Sequence, residues 1–312
     1  MNTPAAQNAP SRLTKGYAIA LIGTAIWSTT AIFIRILTTQ YALRPLVLAF
    51  WRDLIVAAGL AVGLAVFSPR LFRPDRRQWR FLLVYGFVLS IFNTLWTVAV
   101  ALTGAAVATV LVYNSPAFTA LLAWWFFGER LSPAKIVAVV LSMAGCILVA
   151  GAYDPAVWRV NPLGIGAGLL AGLAFAVYSI MGRAAAQRRM PTWSTLLYTF
   201  FTAAVFLFLY QLIPALIPGS GSSLNLLALD GSPAGWIVLI ALALGPTIGG
   251  YGLYAVSLTY LPASVANLIT SLEPTMTAVL AYFLLGETFT LPQIVGSLLV
   301  LLGVVILRVW HR

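Results

Sequence analysis

The chain has 312 residues, of which 61% are apolar and only 8% are charged, against roughly 25% charged residues in an ordinary soluble domain. This composition excludes a soluble globular protein and indicates a membrane protein. The net charge of +11 does not indicate nucleic-acid binding, because the Arg and Lys residues lie between apolar runs and form no basic face. Basic loops beside membrane spans follow the positive-inside rule instead.

The residues that most catalytic and metal sites need are scarce. Cys146 is the only cysteine and His311 the only histidine. The sequence therefore does not provide the residues for a disulfide within the chain, a His-based metal site or a Ser-His-Asp triad. Phosphate-loop and metalloprotease motifs are absent from the sequence as well. We therefore predict that the protein is not an enzyme and binds neither a cofactor nor a metal.

Apolar runs of about 20 residues, the length that crosses a bilayer as a helix, predict an all-α integral membrane protein with ten transmembrane helices. In chain order they cover residues 16–36, 46–67, 80–100, 105–127, 134–151, 163–183, 194–214, 234–257, 262–284 and 290–309. Most connections are short. The exception, 215–233, is rich in Gly, Ser and Pro and carries no Lys or Arg. Residues 1–15 are predicted to be a disordered cytoplasmic tail.

The distribution of Lys and Arg predicts the orientation. With a cytoplasmic N-terminus, the inside segments hold fourteen of the eighteen basic residues, whereas the outside ends hold three and Arg52 lies within a span. Because loops rich in Lys and Arg stay in the cytoplasm, we predict a multi-pass protein of the bacterial inner membrane with both termini cytoplasmic.

An internal repeat divides the chain. The segment NSPAFTALLAWWFFGER at 114–130 returns as LEPTMTAVLAYFLLGET at 272–288, so that Pro116 matches Pro274 at an offset of 158 residues. The chain therefore consists of two five-span halves, 16–151 and 163–309. Because five is odd, the halves are predicted to be inverted relative to each other, an arrangement typical of secondary transporters.

These two segments, with IWSTTAIFIR and LAFWRDL near the start, resemble the EamA-type members of the drug/metabolite transporter superfamily. The resemblance extends over about residues 16–309, although 163–214 matches the first half only faintly. It implies ten helices in two inverted repeats and the transport of small organic metabolites, often outward. Bacterial members of that family include amino-acid exporters.

Three prolines inside predicted spans are candidate hinges. Pro116 and Pro274 each remove one helix hydrogen bond and free the carbonyl four residues earlier, which must find another partner inside a bilayer. Pro246, in LGPTIGGYG of the eighth span, weakens a further helix whose counterpart in the third span has no such motif. We expect bending at these prolines, unequal between the halves, although static kinks are an alternative interpretation.

Glu273 is the charged residue that carries most information, because it lies about halfway along the ninth span, beside Pro274. An acidic residue at the bilayer centre costs about 2.5–3.5 kcal/mol on insertion scales. Three roles remain open for it: a protonated structural group, the carrier of a coupling proton, and the partner of a substrate amine.

Arg52 and Asp53 lie about two turns into the second span from its outer end. Adjacent residues on a helix point about 100° apart, so we expect these two side chains not to pair. Arg52 is a candidate site for a substrate carboxylate. The alternative is that it packs against a polar group of another helix or reaches the outer headgroups.

Further polar and aromatic residues lie inside the predicted spans and are candidates to line a substrate cavity with Arg52 and Glu273. Aromatic walls with a few polar groups are the usual composition of a small-molecule pocket, and aromatic faces attract ammonium groups. The candidates are Trp27, Tyr85, Asn93, Trp96, Tyr113, Asn114, Tyr178, Tyr251, Tyr254, Asn267 and Ser271.

Glycines at two kinds of position have structural interpretations. Gly164, Gly168 and Gly172 recur every fourth residue and predict close packing of the sixth span against another helix. The Gly-Glu pairs at 128–129 and 286–287 are predicted to end their helices, with each glutamate able to accept hydrogen bonds from the free backbone N–H groups of the next helix.

Together these features predict a secondary active transporter that moves amino acids, including aromatic ones, outward across the inner membrane by alternating access. Its expected partners are a small-molecule substrate, the lipid bilayer and a coupling proton, with no nucleic acid and no direct use of ATP. The alternatives are another substrate class (an organic cation or drug, a nucleoside or a sugar derivative) and a membrane protein that does not transport. The sequence leaves the oligomeric state open.

Overall fold

The computed structural model describes residues 9–72, 76–103, 105–158, 161–215, 229, 232–285 and 290–310. Regular structure in these ranges is helical, and they contain no strand. The α-helices, in chain order, are α1 Ala9–Trp27, α2 Thr30–Thr39, α3 Pro45–Phe67, α4 Trp79–Thr103, α5 Ala105–Val112, α6 Ser115–Phe127, α7 Pro133–Val149, α8 Pro162–Gln187, α9 Thr192–Ala215, α10 Pro233–Leu242, α11 Ile248–Tyr260, α12 Ala263–Thr270, α13 Glu273–Leu285 and α14 Leu291–Trp310.

The helices confirm the predicted all-α membrane class. Eight helical stretches are long and apolar enough to cross a membrane: Arg12–Thr39, Pro45–Phe67, Trp79–Val100, Ala108–Phe127, Pro162–Gln187, Thr192–Leu212, Pro233–Tyr260 and Leu291–Val309. The shorter apolar helix α7 and the α12–α13 stretch occupy the predicted fifth and ninth spans. Each predicted span thus has a helical counterpart, while the number of ten complete crossings stays a prediction.

Parts of the predicted organisation fall outside the described residues. They include the first eight residues of the predicted tail, most of the 215–233 connection, and the Gly286–Glu287 pair.

The fifth and tenth spans show how the two halves are related. Gly145 of α7 lies against Gly296 of α14, such that a Cβ on Gly145 would be 2.5 Å from the Gly296 carbonyl oxygen. Further along, Gly303 of α14 lies against Ala138 of α7, which is earlier in the chain than Gly145. The two helices therefore run antiparallel. Because they are the last helices of their halves, the halves are inverted.

The remaining helix pairs follow the same two-fold relation. Antiparallel contacts join α1 to α11, where Gly16 meets Tyr260. Equivalent contacts join α4 to α8, where Gly164 meets Leu102. The first span of each half thus packs on the third span of the other half. Exchange of the halves maps each pair onto the other, as a two-fold axis requires.

The glycine stripe of α8 has the packing role that the sequence predicts. A Cβ on Gly168 would lie 2.7 Å from the Cβ of Leu111 on α5, and one on Gly172 would overlap the side chain of Asn114. Only glycine permits this approach, which brings the sixth span against the middle of the fourth.

Two spans break at their matching prolines. The fourth span stops at Val112 and restarts at Ser115, and the ninth stops at Thr270 and restarts at Glu273. Pro116 and Pro274 are the second residues of the restarted helices, where a backbone N–H has no partner within the helix. The predicted bends therefore coincide with interruptions of the regular α-helix, and the fourth span still continues as one helical stretch, Ala108–Phe127. Hinge motion at them stays a prediction.

The eighth and first spans are also irregular, but neither stops and restarts at a matching proline as the fourth and ninth spans do. In the eighth, Ala243–Thr247 form a π-helical turn around Pro246, and the Thr247 hydroxyl donates to the Leu242 carbonyl at 2.8 Å. The first span breaks between α1 and α2 with no proline, an interruption that the sequence analysis did not predict. There the Ser28 and Thr29 hydroxyls donate to the carbonyls of Ala25 and Ile26.

Candidate functional site

A cavity of about 100 Å³ lies where the broken spans meet, between the two halves. Its walls come from seven spans of the bundle, and both the α1–α2 break and the α12–α13 break open onto it. The lining residues are Trp27, Thr30, Ile34, Arg52, Phe92, Asn93, Trp96, Thr109, Val112, Tyr113, Phe175, Tyr251, Thr270 and Glu273.

The structure brings together seven of the thirteen predicted cavity residues and places the other six elsewhere. The seven that line the cavity are Trp27, Arg52, Asn93, Trp96, Tyr113, Tyr251 and Glu273. The six that do not are Tyr85, Asn114, Tyr178, Tyr254, Asn267 and Ser271. The second group packs beside the cavity, because each of these residues lies on a face that turns toward a neighbouring helix.

Aromatic rings form one wall of the cavity. The Trp27 ring lies with its centroid 4.4 Å from that of Tyr251 and 6.0 Å from that of Phe175, the latter edge to face. Trp27 comes from the first half, whereas Phe175 and Tyr251 come from the second. The wall therefore crosses the boundary between the halves and consists of aromatic rings, a type of side chain that attracts ammonium groups.

Glu273 sits at the start of α13, with its carboxylate at the cavity. It accepts a hydrogen bond from the Tyr113 hydroxyl at 2.6 Å, so a residue at one proline break holds a residue at the other. One turn later, the Thr277 hydroxyl donates to the Ser28 carbonyl at 3.0 Å, which ties α13 to the break in the first span. This arrangement supplies a carboxylate acceptor beside an aromatic wall.

Arg52 and Asp53 correct one expectation. The Arg52 guanidinium donates to Asp53 through Nε at 3.1 Å and through Nη2 at 3.0 Å, so the adjacent residues do pair. The long Arg52 side chain reaches Asp53 although the two residues point in different directions from the helix axis. Asn93 closes the cluster, accepting from Arg52 at 2.9 Å and donating to Asp53 at 2.7 Å.

This pairing changes what Arg52 can contribute. Asp53 is 0% exposed, and its negative charge lies within 3.0 Å of the guanidinium. The pair is neutral as a unit, which weakens the attraction of the guanidinium for a second carboxylate. In the part of the chain that the structure describes, Glu273 is thus the cavity-lining charge without an opposite charge beside it.

A packed polar network closes one side of the cavity. Asn267 of α12 donates to the hydroxyls of Thr119 at 2.8 Å and Ser179 at 3.0 Å. It also accepts from the Ser115 hydroxyl at 3.1 Å, and Tyr254 donates to Ser179 at 2.6 Å. Asn267 and Tyr254, predicted to line the cavity, instead hold four helices of the two halves together.

The other misplaced candidates are also structural. Tyr85 and Tyr178 stack with centroids 4.7 Å apart, and the Ser271 hydroxyl donates to the Leu268 carbonyl at 2.6 Å. Asn114 packs on Gly172, and neither of its amide atoms has a hydrogen-bond partner among the described residues.

The two ends of the bundle differ. A second cavity shares Ile34, Arg52, Asn93 and Trp96 with the first and continues to the exposed start of α3 at Pro45. The second cavity therefore lies between the shared Arg52–Asn93 wall and the end of the bundle where α3 begins.

At the opposite end, charged and polar groups join the halves. Glu129 follows Gly128, which ends α6 with a φ of 65°. The Glu129 carboxylate accepts from Lys135 Nζ at 3.2 Å and from the Ser264 hydroxyl of α12. The prediction that Glu129 accepts from the next helix start is wrong, because the Ser132 hydroxyl caps α7. Its twin Glu287 lies outside the described residues.

Sequence reasoning missed seven lining residues. They are Thr30, Ile34, Phe92, Thr109, Val112, Phe175 and Thr270, all of types that are common in any apolar helix. One signal was available for Thr30, because the run Ser28–Thr29–Thr30 supplies three adjacent hydroxyls that can satisfy an interrupted helix.

Inverted halves, interrupted helices and a polar cavity at their interface define a membrane transporter. The chain belongs to the EamA-like transporter family, which matches residues 14–151 and 162–309. It is therefore a multi-pass membrane protein of the drug/metabolite transporter superfamily.

Individual relatives extend this assignment. The chain is 30% identical over 301 residues to an uncharacterized transporter, YwfM, of Bacillus subtilis strain 168, covering 94% of this chain and 93% of the relative. It is also 30% identical over 247 residues to the threonine/homoserine exporter RhtA of Escherichia coli K12, covering 77% and 75%. A solved crystal structure shares the fold, with a TM-score of 0.76, 20% identity and coverage of 95% of this chain and 97% of the other.

Proposed function

We propose that this protein is a secondary active transporter that exports amino acids, including aromatic ones, across the bacterial inner membrane. The observation that carries the proposal is Glu273, a carboxylate at an interrupted helix that opens onto an aromatic-lined cavity. Such a group binds the ammonium common to all amino acids. Similarity to RhtA, named a threonine/homoserine exporter, supports the same substrate class.

Transport proceeds by alternating access in this proposal. With both termini cytoplasmic, as the Lys and Arg distribution favours, the end where α3 begins would face outward and the Glu129–Lys135 pair would close the cytoplasmic end. Bending at Pro116, Pro246 and Pro274 would open the closed end and shut the other. Glu273 also supplies the site for a coupling proton, since a proton and an ammonium group compete for one carboxylate.

Counterflow in proteoliposomes tests the proposal. Vesicles holding the purified full chain are loaded with one unlabelled amino acid at a time, and entry of labelled L-threonine or L-phenylalanine is followed with and without a pH gradient. We expect a subset of amino acids to accelerate tracer entry over protein-free vesicles, and the gradient to change the rate. Folded protein that exchanges no amino acid would refute the substrate class while leaving the transporter family intact.

The pairing of Arg52 with Asp53 favours a second candidate function, the transport of organic cations. If the guanidinium is already neutralised, Glu273 and the aromatic wall suffice for an ammonium group with no carboxylate. Under this alternative, monovalent amines would exchange in the same vesicles and amino acids would not.

A further inference from the structure

The first half-helix that opens onto the cavity lacks a cap. Helix α2 has ten residues, and its N-cap residue Thr29 makes no side-chain hydrogen bond to it. The Thr29 hydroxyl donates backward to the Ile26 carbonyl at 2.7 Å instead. The first turn of α2 also contains no acidic residue. The positive end of the α2 dipole therefore has no acidic side chain within its own first turn.

A second observation points to a ligand at this position. Thr30, the first residue of α2, lines the cavity. Its side chain is 8% exposed, and its hydroxyl has no hydrogen-bond partner in the described chain. A buried hydroxyl without a partner costs free energy, and this one lies where an incoming group would meet it.

The other half-helix starts do not share this combination. Helix α13 begins with Glu273, so its own carboxylate lies at its positive end. Helix α6 begins with Ser115, whose hydroxyl donates to Asn267, and Ser115 is not among the cavity-lining residues. Of the three restarted helices, α2 is the one that presents both a positive end and an unsatisfied hydroxyl to the cavity.

We infer that the start of α2 is the carboxylate site of the substrate, with Thr30 donating its hydroxyl to the carboxylate. The inference rests on the proposed function and assigns its two polar anchors. Glu273 takes the ammonium group, and the 3.0 Å contact between Thr277 and Ser28 holds the two anchors on adjoining walls. Arg52, bound to Asp53, is not the carboxylate partner. The site selects zwitterions and discriminates against amines.

Paired substitutions at Thr30 test this assignment in the reconstituted full chain. Thr30→Val removes the hydroxyl and keeps the side-chain size, whereas Thr30→Ser keeps the hydroxyl. Thr24→Val is the matched control, since the Thr24 hydroxyl donates to the Ala20 carbonyl at 2.8 Å and does not line the cavity. Half-saturating concentrations are measured for labelled L-threonine and L-phenylalanine, with competition by their methyl esters, which lack the carboxylate charge.

We expect wild-type protein to prefer each amino acid over its ester. Thr30→Val should raise the half-saturating concentration at least about tenfold, as loss of a hydrogen bond to a charged group does, with ester competition unchanged. Thr30→Ser and Thr24→Val should behave as wild type. Thr30→Ala repeats the measurement with a smaller side chain if the valine variant melts early.

Two results would overturn the inference, and they are distinguishable. If wild-type protein exchanges the amino acids but Thr30→Val and Thr30→Ala do so equally well, the carboxylate site lies elsewhere and the proposed function stands. If wild-type protein exchanges neither amino acid while protonated amines exchange, the amino-acid function fails and the carboxylate site with it.

Discussion

The two halves of the bundle share their breaks but not their chemistry. Both have a span that stops and restarts at matching prolines, Pro116 and Pro274. At the position before the proline, however, the first half has Ser115, which bonds to Asn267 inside a packed network, and the second has Glu273, which reaches the cavity. The repeat therefore determines where the helices break, and a residue that differs between the halves, Glu273, provides the charged group of the cavity.

The irregular spans differ between the halves as well. In the first half the first span is broken and the third, α4, is continuous. In the second half the first span, α8, is continuous and the third contains the π-helical turn at Pro246. An exact two-fold bundle would have equivalent conformations at both ends. Because the break in the first span and the π-helical turn in the eighth have no counterpart in the other half, the two ends of the bundle can differ in stability.

The largest expected effect comes from removing the charge that distinguishes Glu273 from its counterpart. Glu273→Gln should lower amino-acid counterflow by about 100-fold or more, because the ammonium group loses its ionic partner inside the cavity. Ser115→Ala, at the matching position, should leave the half-saturating concentration unchanged. Equal counterflow by wild-type protein and Glu273→Gln would show that the asymmetry at these positions is only structural.

An intermediate effect is expected at the Glu129–Lys135 pair. The second half has Gln293 where the first has Lys135, so Lys135→Gln makes the halves alike. Lys135 is 3% exposed, and its loss removes the ion-pair partner of the partly buried Glu129, which should destabilise the closed end by about 2 kcal/mol. The melting temperature in detergent measures this.

The control for that experiment is the double variant Glu129→Gln, Lys135→Gln. It removes both charges of the ion pair and should melt above the single variant, since Glu129 no longer carries a partly buried charge that has lost its ion-pair partner. If Lys135→Gln has the same melting temperature as wild type, the Glu129–Lys135 pair does not stabilise the contact between the two halves.

The smallest predicted effect concerns the rate. Pro246→Ala should allow the eighth span to form a regular helix like α4, because alanine restores the backbone N–H that proline lacks. We expect counterflow to slow by about tenfold, with the half-saturating concentration unchanged and the melting temperature raised. Faster exchange in this variant would show that the π-helical turn hinders transport.

The sequence was sufficient for features that depend on local chemistry. Proline inside a span removes a helix hydrogen bond, so the breaks before Pro116 and Pro274 follow from residue type and the repeat. Glu273 stands out because a carboxylate within an apolar run has few stable environments. The cavity itself depends on which faces of seven spans turn toward each other, and the sequence of each span alone does not determine those faces.

Two aromatic residues and one helix break show why the rest was not predictable. Tyr254 and Trp27 are both aromatic and within spans, yet one hydrogen-bonds to Ser179 in a packed network and the other lines the cavity. Their difference is one of rotation about the helix axis. The first-span break depends on hydroxyls that bond to carbonyls of their own helix, and in most helices such bonds only bend the backbone.

The seam between α7 and α14 has a consequence for how the chain is made. Gly145 contacts Gly296 closely enough that no other residue fits, yet the ribosome adds Gly296 long after α7 has been synthesised. Until then, the face of α7 around Gly145 cannot make its contact with Gly296. The first half is therefore synthesised with this face of α7 unpacked. The α7–α14 contact can form only after α14, the last helix of the chain, has been made.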